Sequence, residues 1–348
     1  MIKKRLIVCG MGNVGKHFAR LIVDRRQQLQ GKYGLDIQFT AVVDIGGAAV
    51  STRGPLPMTQ LLTHIEKGGT VETFAGCGQP GLSGSDAIAA VEADVLIETT
   101  PTNLSDGEPG HGHFQAALEK GLDIISANKG PLVLFYKKLL ERAKKKKCRI
   151  YMSAATAAAL PTLDVGRLCL AGAEVESIDG ILNGTTNYIL TRMHIEKCAY
   201  DTALKAAQDL GIAETDPTLD VQGLDTRNKI LLIANQVFEE NFRPQDVPTT
   251  GIVGITPEEI EQARSAGQVI KLVGTARKDS DGVTLRVEPK ALDREHPLAG
   301  INYSEKGISY LTDTMGRITL TGGKSSPVGA AAALLKDLIH SSIFASPL

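Results

Sequence analysis

The chain has 348 residues, 43% hydrophobic and 22% charged, with a net charge of −1. A single hydrophobic core rarely grows past about 250–300 residues, so this length predicts two domains. The ordinary hydrophobic content argues against a disordered chain, and near-neutrality argues against electrostatic recruitment to nucleic acid or an anionic membrane. No run approaches the roughly 18 apolar residues of a membrane span. Five cysteines, Cys9, Cys77, Cys148, Cys169 and Cys198, are odd in number and form no C-x-x-C pair. That disfavours a disulfide framework or a zinc site and points to a reducing compartment, the cytoplasm. The short apolar run after Met1–Arg5 is a first strand rather than a signal segment.

In chain order, Leu6–Cys9 reads as a buried strand running into Gly10-Met-Gly12-Asn13-Val14-Gly15 and a helix to about Gln30. Phe39–Val43, closed by Asp44, is a second strand, Asp94–Glu98 a third and Asp123–Ser126 a fourth. Helical patterns fall at His113–Lys120 and Pro131–Lys147. Strands alternating with helices predict a Rossmann-type, doubly wound parallel sheet. Gly46–Gly84 is rich in Gly, Thr, Ser and Pro; it predicts one helix near Met58–Lys67 and otherwise surface loops. His111 and His113, in Pro109-Gly-His-Gly-His, read as surface residues, with no third metal ligand nearby.

After Ile150 the texture changes to an α+β pattern. Strands are predicted at Glu174–Leu182, Gln268–Ala276, Val283–Pro289 and Gly316–Thr321, and helices at Thr186–Lys197, Asp201–Leu210, Gly223–Phe238 and Pro327–His340. The expected division is a dinucleotide-binding domain over 1–150, a catalytic and dimerisation domain over 151–310, and a segment from about 310 to 348 returning to the first.

The glycine fingerprint sits where a dinucleotide site requires it, directly after a strand and at the start of a helix. Gly10 permits the tight turn, Gly12 lets the backbone approach a pyrophosphate, and Gly15 lets helix and strand pack closely. The helix N-terminus adds free N–H groups and partial positive charge. Asp44 suits the ribose hydroxyls of NAD, and Arg53, nine residues on, suits the 2′-phosphate of NADP, which leaves both cofactors open. Thr99-Thr100-Pro-Thr-Asn103 follows the third strand, where loops line the ligand crevice.

The second chemical stretch runs from Gly211 to Lys229. Glu214, Asp216 and Asp220 fall in a loop interrupted by Pro217, and Asp225 and Lys229, four apart, share one helix face. Such carboxylates suit the amino group of an amino-acid substrate and leave the lysine for proton transfer. A lysine working near neutral pH needs its pKa lowered from about 10.4, and Lys129 is a candidate second cation. Spacing alone equally permits a plain surface Asp–Lys pair, worth roughly 0.3–0.5 kcal/mol.

Asn183-Gly-Thr-Thr-Asn-Tyr-Ile-Leu190, the segment Gly211–Lys229, Ala127-Asn128-Lys129 and the N-terminal fingerprint together resemble the homoserine dehydrogenases over most of the chain. The resemblance implies an NAD- or NADP-dependent dehydrogenase interconverting L-homoserine and L-aspartate 4-semialdehyde, in threonine, methionine and isoleucine biosynthesis. It makes Lys229 the proton donor, has Lys129 assist, and gives substrate contacts to Glu214, Asp220 and Asp225. It places Gly12, Val14, Gly15, Thr100, Lys129, Gly211 and Gly322 against the nucleotide, beside Gly10, Asn13, Asp44 and Arg53 of the local reading, and it implies a homodimer formed through the sheet of the second domain. The family holds a sodium ion with a glutamate and three backbone carbonyls. Here Ser153 stands at the glutamate position, leaving the carbonyls of Thr156, Ala158 and Leu160 as candidate ligands. With the sequence ending at Leu348, no threonine inhibition through an appended domain is expected. Two rivals remain at this point: a related dehydrogenase acting on another small amino- or hydroxy-aldehyde, and a nucleotide-binding sensor without turnover.

Overall fold

A computed structural model describes residues 1–51, 53–323 and 326–343. The chain divides into two compact units, one formed by Met1–Ala158 with the segment from Ser326 onward, the other by Ala159–Ser325. No helix among the described residues is long and apolar enough to cross a membrane.

The first unit is built on a seven-stranded sheet of β1 (Ile2–Cys9), β2 (Leu35–Asp44), β3 (Gly47–Val50), β4 (Gly78–Pro80), β5 (Val95–Glu98), β6 (Asp123–Ser126) and β7 (Ile150–Tyr151). Their order is β4-β3-β2-β1-β5-β6-β7. Leu6–Cys9 are fully buried and pair in parallel with β2 on one side and β5 on the other. A strand covered on both faces needs such an uninterrupted apolar run. The order reverses at β1, so the loops after β1, β2 and β5 meet at one carboxyl edge, where open α/β sheets bind ligands.

Around this sheet lie α1 (Asn13–Asp24), α2 (Gly110–Lys120), α3 (Gly130–Lys146) and α4 (Ser153–Ala157). The C-terminal helix Pro327–Ile343 places Ala331, Leu334, Leu335 and Leu338 in one core cluster with Phe18, Ala19 and Ile22 of α1.

Two expectations need correcting in this unit. Gly46–Gly84 is not loop outside its helix, because β3 and β4 pair antiparallel beyond β2 and extend the sheet, with Ala48 and Ala49 fully buried. His113 is not at the surface but only 5% exposed, on the inner side of α2. His111, half-buried, stacks on Phe135 with ring centroids 3.9 Å apart.

The second unit carries a five-stranded antiparallel sheet, β8 (Val175–Ile181), β9 (Gln268–Asp279), β10 (Gly282–Asp293), β11 (Lys306–Thr312) and β12 (Gly316–Gly322), in the order β10-β9-β8-β11-β12. Strand β11, absent from the sequence reading, pairs with both β8 and β12. Residues 306–322 therefore belong to this sheet, and the chain returns to the first unit only at Ser326. Helices α5 (Gly184–Glu196) and α6 (Leu224–Val237) hold the chemical residues of this unit. Gly274 on β9 makes room for α6, since a Cβ there would lie 3.1 Å from Ile230 and 3.2 Å from Thr226.

Candidate functional site

In the first unit the carboxyl edge gathers the Gly10–Gly15 loop, Asp44, Thr99–Thr100 and Asn128–Lys129. Gly10 has φ +96°, in the left-handed region that favours glycine, and its backbone sits against Thr99 and Thr100. A Cβ on Gly15 would lie 2.0 Å from the Gly10 carbonyl, so α1 can start this close to β1 only with glycine there. Gly12 has φ −69° and ψ −160°, accessible to any residue, and a Cβ on it would meet nothing within 4 Å. Neither backbone conformation nor internal packing asks for glycine at 12. A ligand backbone-close to the loop does. Gly12 is also the N-cap of α1 with no side-chain cap, and the first turn holds no acidic residue. The leading N–H groups are thus presented to an anion, Asn13 and Val14 lying in that turn. These residues fit a dinucleotide pyrophosphate.

Asp44 ends β2 beside the same loop, since the Gly10 N–H donates to the Val43 carbonyl at 2.8 Å. Arg53 comes after the β2–β3 hairpin. The β2–β3 hairpin reverses the chain at residues 45–46, and by Ser51 it is opposite Thr40, with a 2.9 Å bond from the Ser51 N–H to the Thr40 carbonyl. The exposed Arg53 follows in the segment before Leu56, whose N–H donates to the Phe39 carbonyl at 2.6 Å.

Thr99 Oγ1 donates to the Gly10 carbonyl at 2.7 Å, and Asn128 Nδ2 donates to Thr100 Oγ1 at 3.0 Å. Lys129 is the N-cap residue of α3, and its N–H donates to Thr102 Oγ1 at 3.3 Å. At Ser153, where the resemblance points to a cation ligand, the hydroxyl donates to Asp337 Oδ1 at 2.8 Å and accepts from Lys336 Nζ at 2.8 Å. Lys336 also pairs with Asp337 at 2.9 Å. The position that would offer a carboxylate is thus already engaged by an ammonium. The Leu160 carbonyl accepts the Thr162 N–H at 2.8 Å. Ser153 supplies no carboxylate to a cation.

In the second unit, Lys229 Nζ lies 2.5 Å from Asp225 Oδ2 and donates to the Leu182 carbonyl at 2.9 Å. Both side chains are 14% exposed, so this is not the solvated helix pair that spacing alone allows. One amide joins the rest: Asn183 Nδ2 donates to Asp220 Oδ1 at 2.6 Å and to Asp225 Oδ2 at 2.9 Å. The Asn183 Oδ1 accepts the Thr186 N–H at 2.9 Å, capping α5. Burial pushes the Asp220 carboxyl above its ordinary value, the nearby Asp225 charge adds to that, and Asn183 opposes it.

Glu214 is exposed in the 211–216 turn, and only its backbone carbonyl is bonded, to Gln208 Nε2 at 3.3 Å. Gly211, with φ +67°, closes the preceding helix, and Gly322 ends β12 with open space around it. Asn183 escaped the sequence reading as a site residue, although it opens the Asn183–Leu190 motif. Its partners lie 37 and 42 residues away, and only the fold shows that they meet.

Comparison with known proteins places both halves. A family model for homoserine dehydrogenase matches residues 161–339, and one for the homoserine dehydrogenase NAD binding domain matches residues 10–153. A homoserine dehydrogenase of Methanocaldococcus jannaschii is 38% identical over 96% of this chain and 97% of its own. An NAD(+)-dependent homoserine dehydrogenase of Pseudomonas canavaninivorans is 32% identical over 98% and 96%. The crystal structure of an Archaeoglobus fulgidus protein assigned as a homoserine dehydrogenase superposes with a TM-score of 0.86 at 30% identity, covering 99% of this chain and 100% of that one.

Proposed function

Because the chain belongs to the homoserine dehydrogenase family, a group of NAD(P)-dependent oxidoreductases, we propose that it interconverts L-homoserine and L-aspartate 4-semialdehyde with Lys229 as the proton-transfer residue. The observation that carries this reading is the buried Lys229–Asp225–Asn183–Asp220 cluster, in which a nearly enclosed ammonium is fixed by Asp225 at 2.5 Å and the Leu182 carbonyl at 2.9 Å. When bound, the nicotinamide supplies a carbon that gives up or takes a hydride.

In the reductive direction Lys229 delivers a proton to the developing alkoxide and stabilises it electrostatically. Asp225 holds the ammonium in place. Asp220, Asp225 and Glu214 offer carboxylates to the substrate's amino group, and Lys129, at the start of α3 beside the cofactor loops, assists. The nucleotide is held by Gly10, Gly12, Asn13, Val14, Gly15 and Thr100, with Gly211 and Gly322 as further contacts. Asp44 at the carboxyl end of β2 suits the ribose hydroxyls of NAD and the exposed Arg53 suits the 2′-phosphate of NADP, so either cofactor can serve. The family reading extends to a homodimer formed through the β8–β12 sheet. Five free cysteines support a cytoplasmic protein.

The test follows absorbance of reduced cofactor with homoserine and NAD or NADP. Lys229→Ala is expected to lower kcat by about 10²–10⁴, the usual range for a general acid–base group, with NADH binding retained. A variant of wild-type kcat would remove Lys229 from the role.

A further inference from the structure

Beneath the cofactor loops lies a polar network that the proposed chemistry does not use. Glu98, the last residue of β5, is 0% exposed. One carboxylate oxygen accepts the Thr100 N–H at 2.8 Å and the Thr100 hydroxyl, and the other accepts from His113 Nδ1 on α2 at 2.8 Å. The imidazole fits because residue 84 is glycine; a Cβ there would lie 2.0 Å from His113 Nε2. From Thr100 the network continues to Asn128 Nδ2 at 3.0 Å, and Asn128 Oδ1 accepts the Gly130 N–H at 2.9 Å, at the start of α3. On its other side it meets the glycine loop, because the Gly10 backbone is packed on Thr99 and Thr100. A buried carboxylate is costly unless its oxygens are satisfied, so the geometry selects one arrangement of these loops.

We infer that Glu98 and His113 form a buried positioning pair that holds Thr100, and through it the Gly10 and Lys129 loops, in the geometry that binds the dinucleotide. The inference rests on the proposed use of a nicotinamide cofactor. Cys9, Glu98 and His113 also offer ligand atoms within 4.8 Å of one another. A metal is the weaker reading, because both Glu98 oxygens are already taken and His113 bonds one of them directly. In addition, burial and the Glu98 charge push the Cys9 thiol well above its ordinary value, which keeps it protonated and a poor ligand.

The test uses the full chain. Glu98→Gln and His113→Gln are compared with wild type by NADH fluorescence titration, steady-state kinetics, melting temperature and metal analysis. Each is expected to weaken NADH binding about tenfold and to raise KM for NAD far more than KM for homoserine, with the folded fraction unchanged. The double variant is expected to be no weaker than the poorer single one, since the two residues act as a unit. Where either fails to fold, Glu98→Asp, which keeps the charge but draws the carboxylate back from Thr100 and His113, is expected to show the same weakening.

NADH affinity equal to wild type would overturn the inference. So would losses that only track the folded fraction, or stoichiometric metal in the purified protein. Wild type that binds NADH but does not oxidise homoserine would defeat the proposed function and leave the pair's role standing.

Discussion

Asn183 carries two tasks on one side chain: its carbonyl caps α5 and its amide donates to Asp220 and Asp225. Asn183→Ala removes a cap worth about 1 kcal/mol and strips a donor from both carboxylates. A donor favours the charged form, so its loss raises the Asp220 carboxyl further. If the ionised carboxylates hold the substrate, the acid limb of kcat/KM against pH is expected to move to higher pH in this variant. An unmoved limb would show that the amide only caps the helix.

Lys271 is a second residue whose protonation matters. It is 2% exposed and bonded to Asn187 Oδ1 at 3.0 Å and the Ile301 carbonyl at 2.5 Å, with no carboxylate among its hydrogen-bond partners. Burial lowers its pKa from 10.5 to about 8, so keeping it charged in the fold costs on the order of 3 kcal/mol. Between about pH 8 and 10.5 the unfolded chain binds more protons than the folded one, and stability rises with pH across that window. Urea unfolding should show this rise in wild type and not in Lys271→Met.

Among the elements, the glycine loop separates folding from binding. Gly15→Ala places a Cβ 2.0 Å from the Gly10 carbonyl and should destabilise the first unit. Gly12→Ala meets no protein atom within 4 Å. It is expected to melt as wild type does while NADH titration shows a loss of affinity of about tenfold or more. Equal melting temperatures for the two variants would contradict this.

The same loop marks what was legible in the sequence. A fingerprint between a strand and a helix is local, as is the apolar run of β6, read residue for residue at Asp123–Ser126. Strands β3 and β4, with 4 and 3 residues, are too short and too rich in Gly and Ala to show a period. Strand β11 opens on Lys306-Gly307 and is buried along most of its length, so it lacks the alternation of a half-exposed strand. Glu98 and His113 were hidden for another reason: nothing in a sequence shows that a strand end and a helix residue 15 positions on meet in a hydrogen bond.

For the whole molecule, stability of the first unit depends on chain that follows the second. Leu334 and Leu338 are fully buried and share a cluster with Phe18 and Ala19. Removing everything after residue 323 should expose that apolar surface, abolish NADH binding and leave a protease-sensitive N-terminal part. Proteolysis with circular dichroism checks this, and a truncated chain that still binds NADH would show the last helix to be dispensable. The interleaving also sets an order in time. On the ribosome, the unit that starts first cannot close before the second has emerged, because its closing helix follows the whole of that second unit. The uninterrupted Ala159–Ser325 unit can be complete while the nucleotide-binding sheet still waits for its missing layer. Newly made chains should therefore acquire cofactor affinity only after the helix Pro327–Ile343 has left the ribosome.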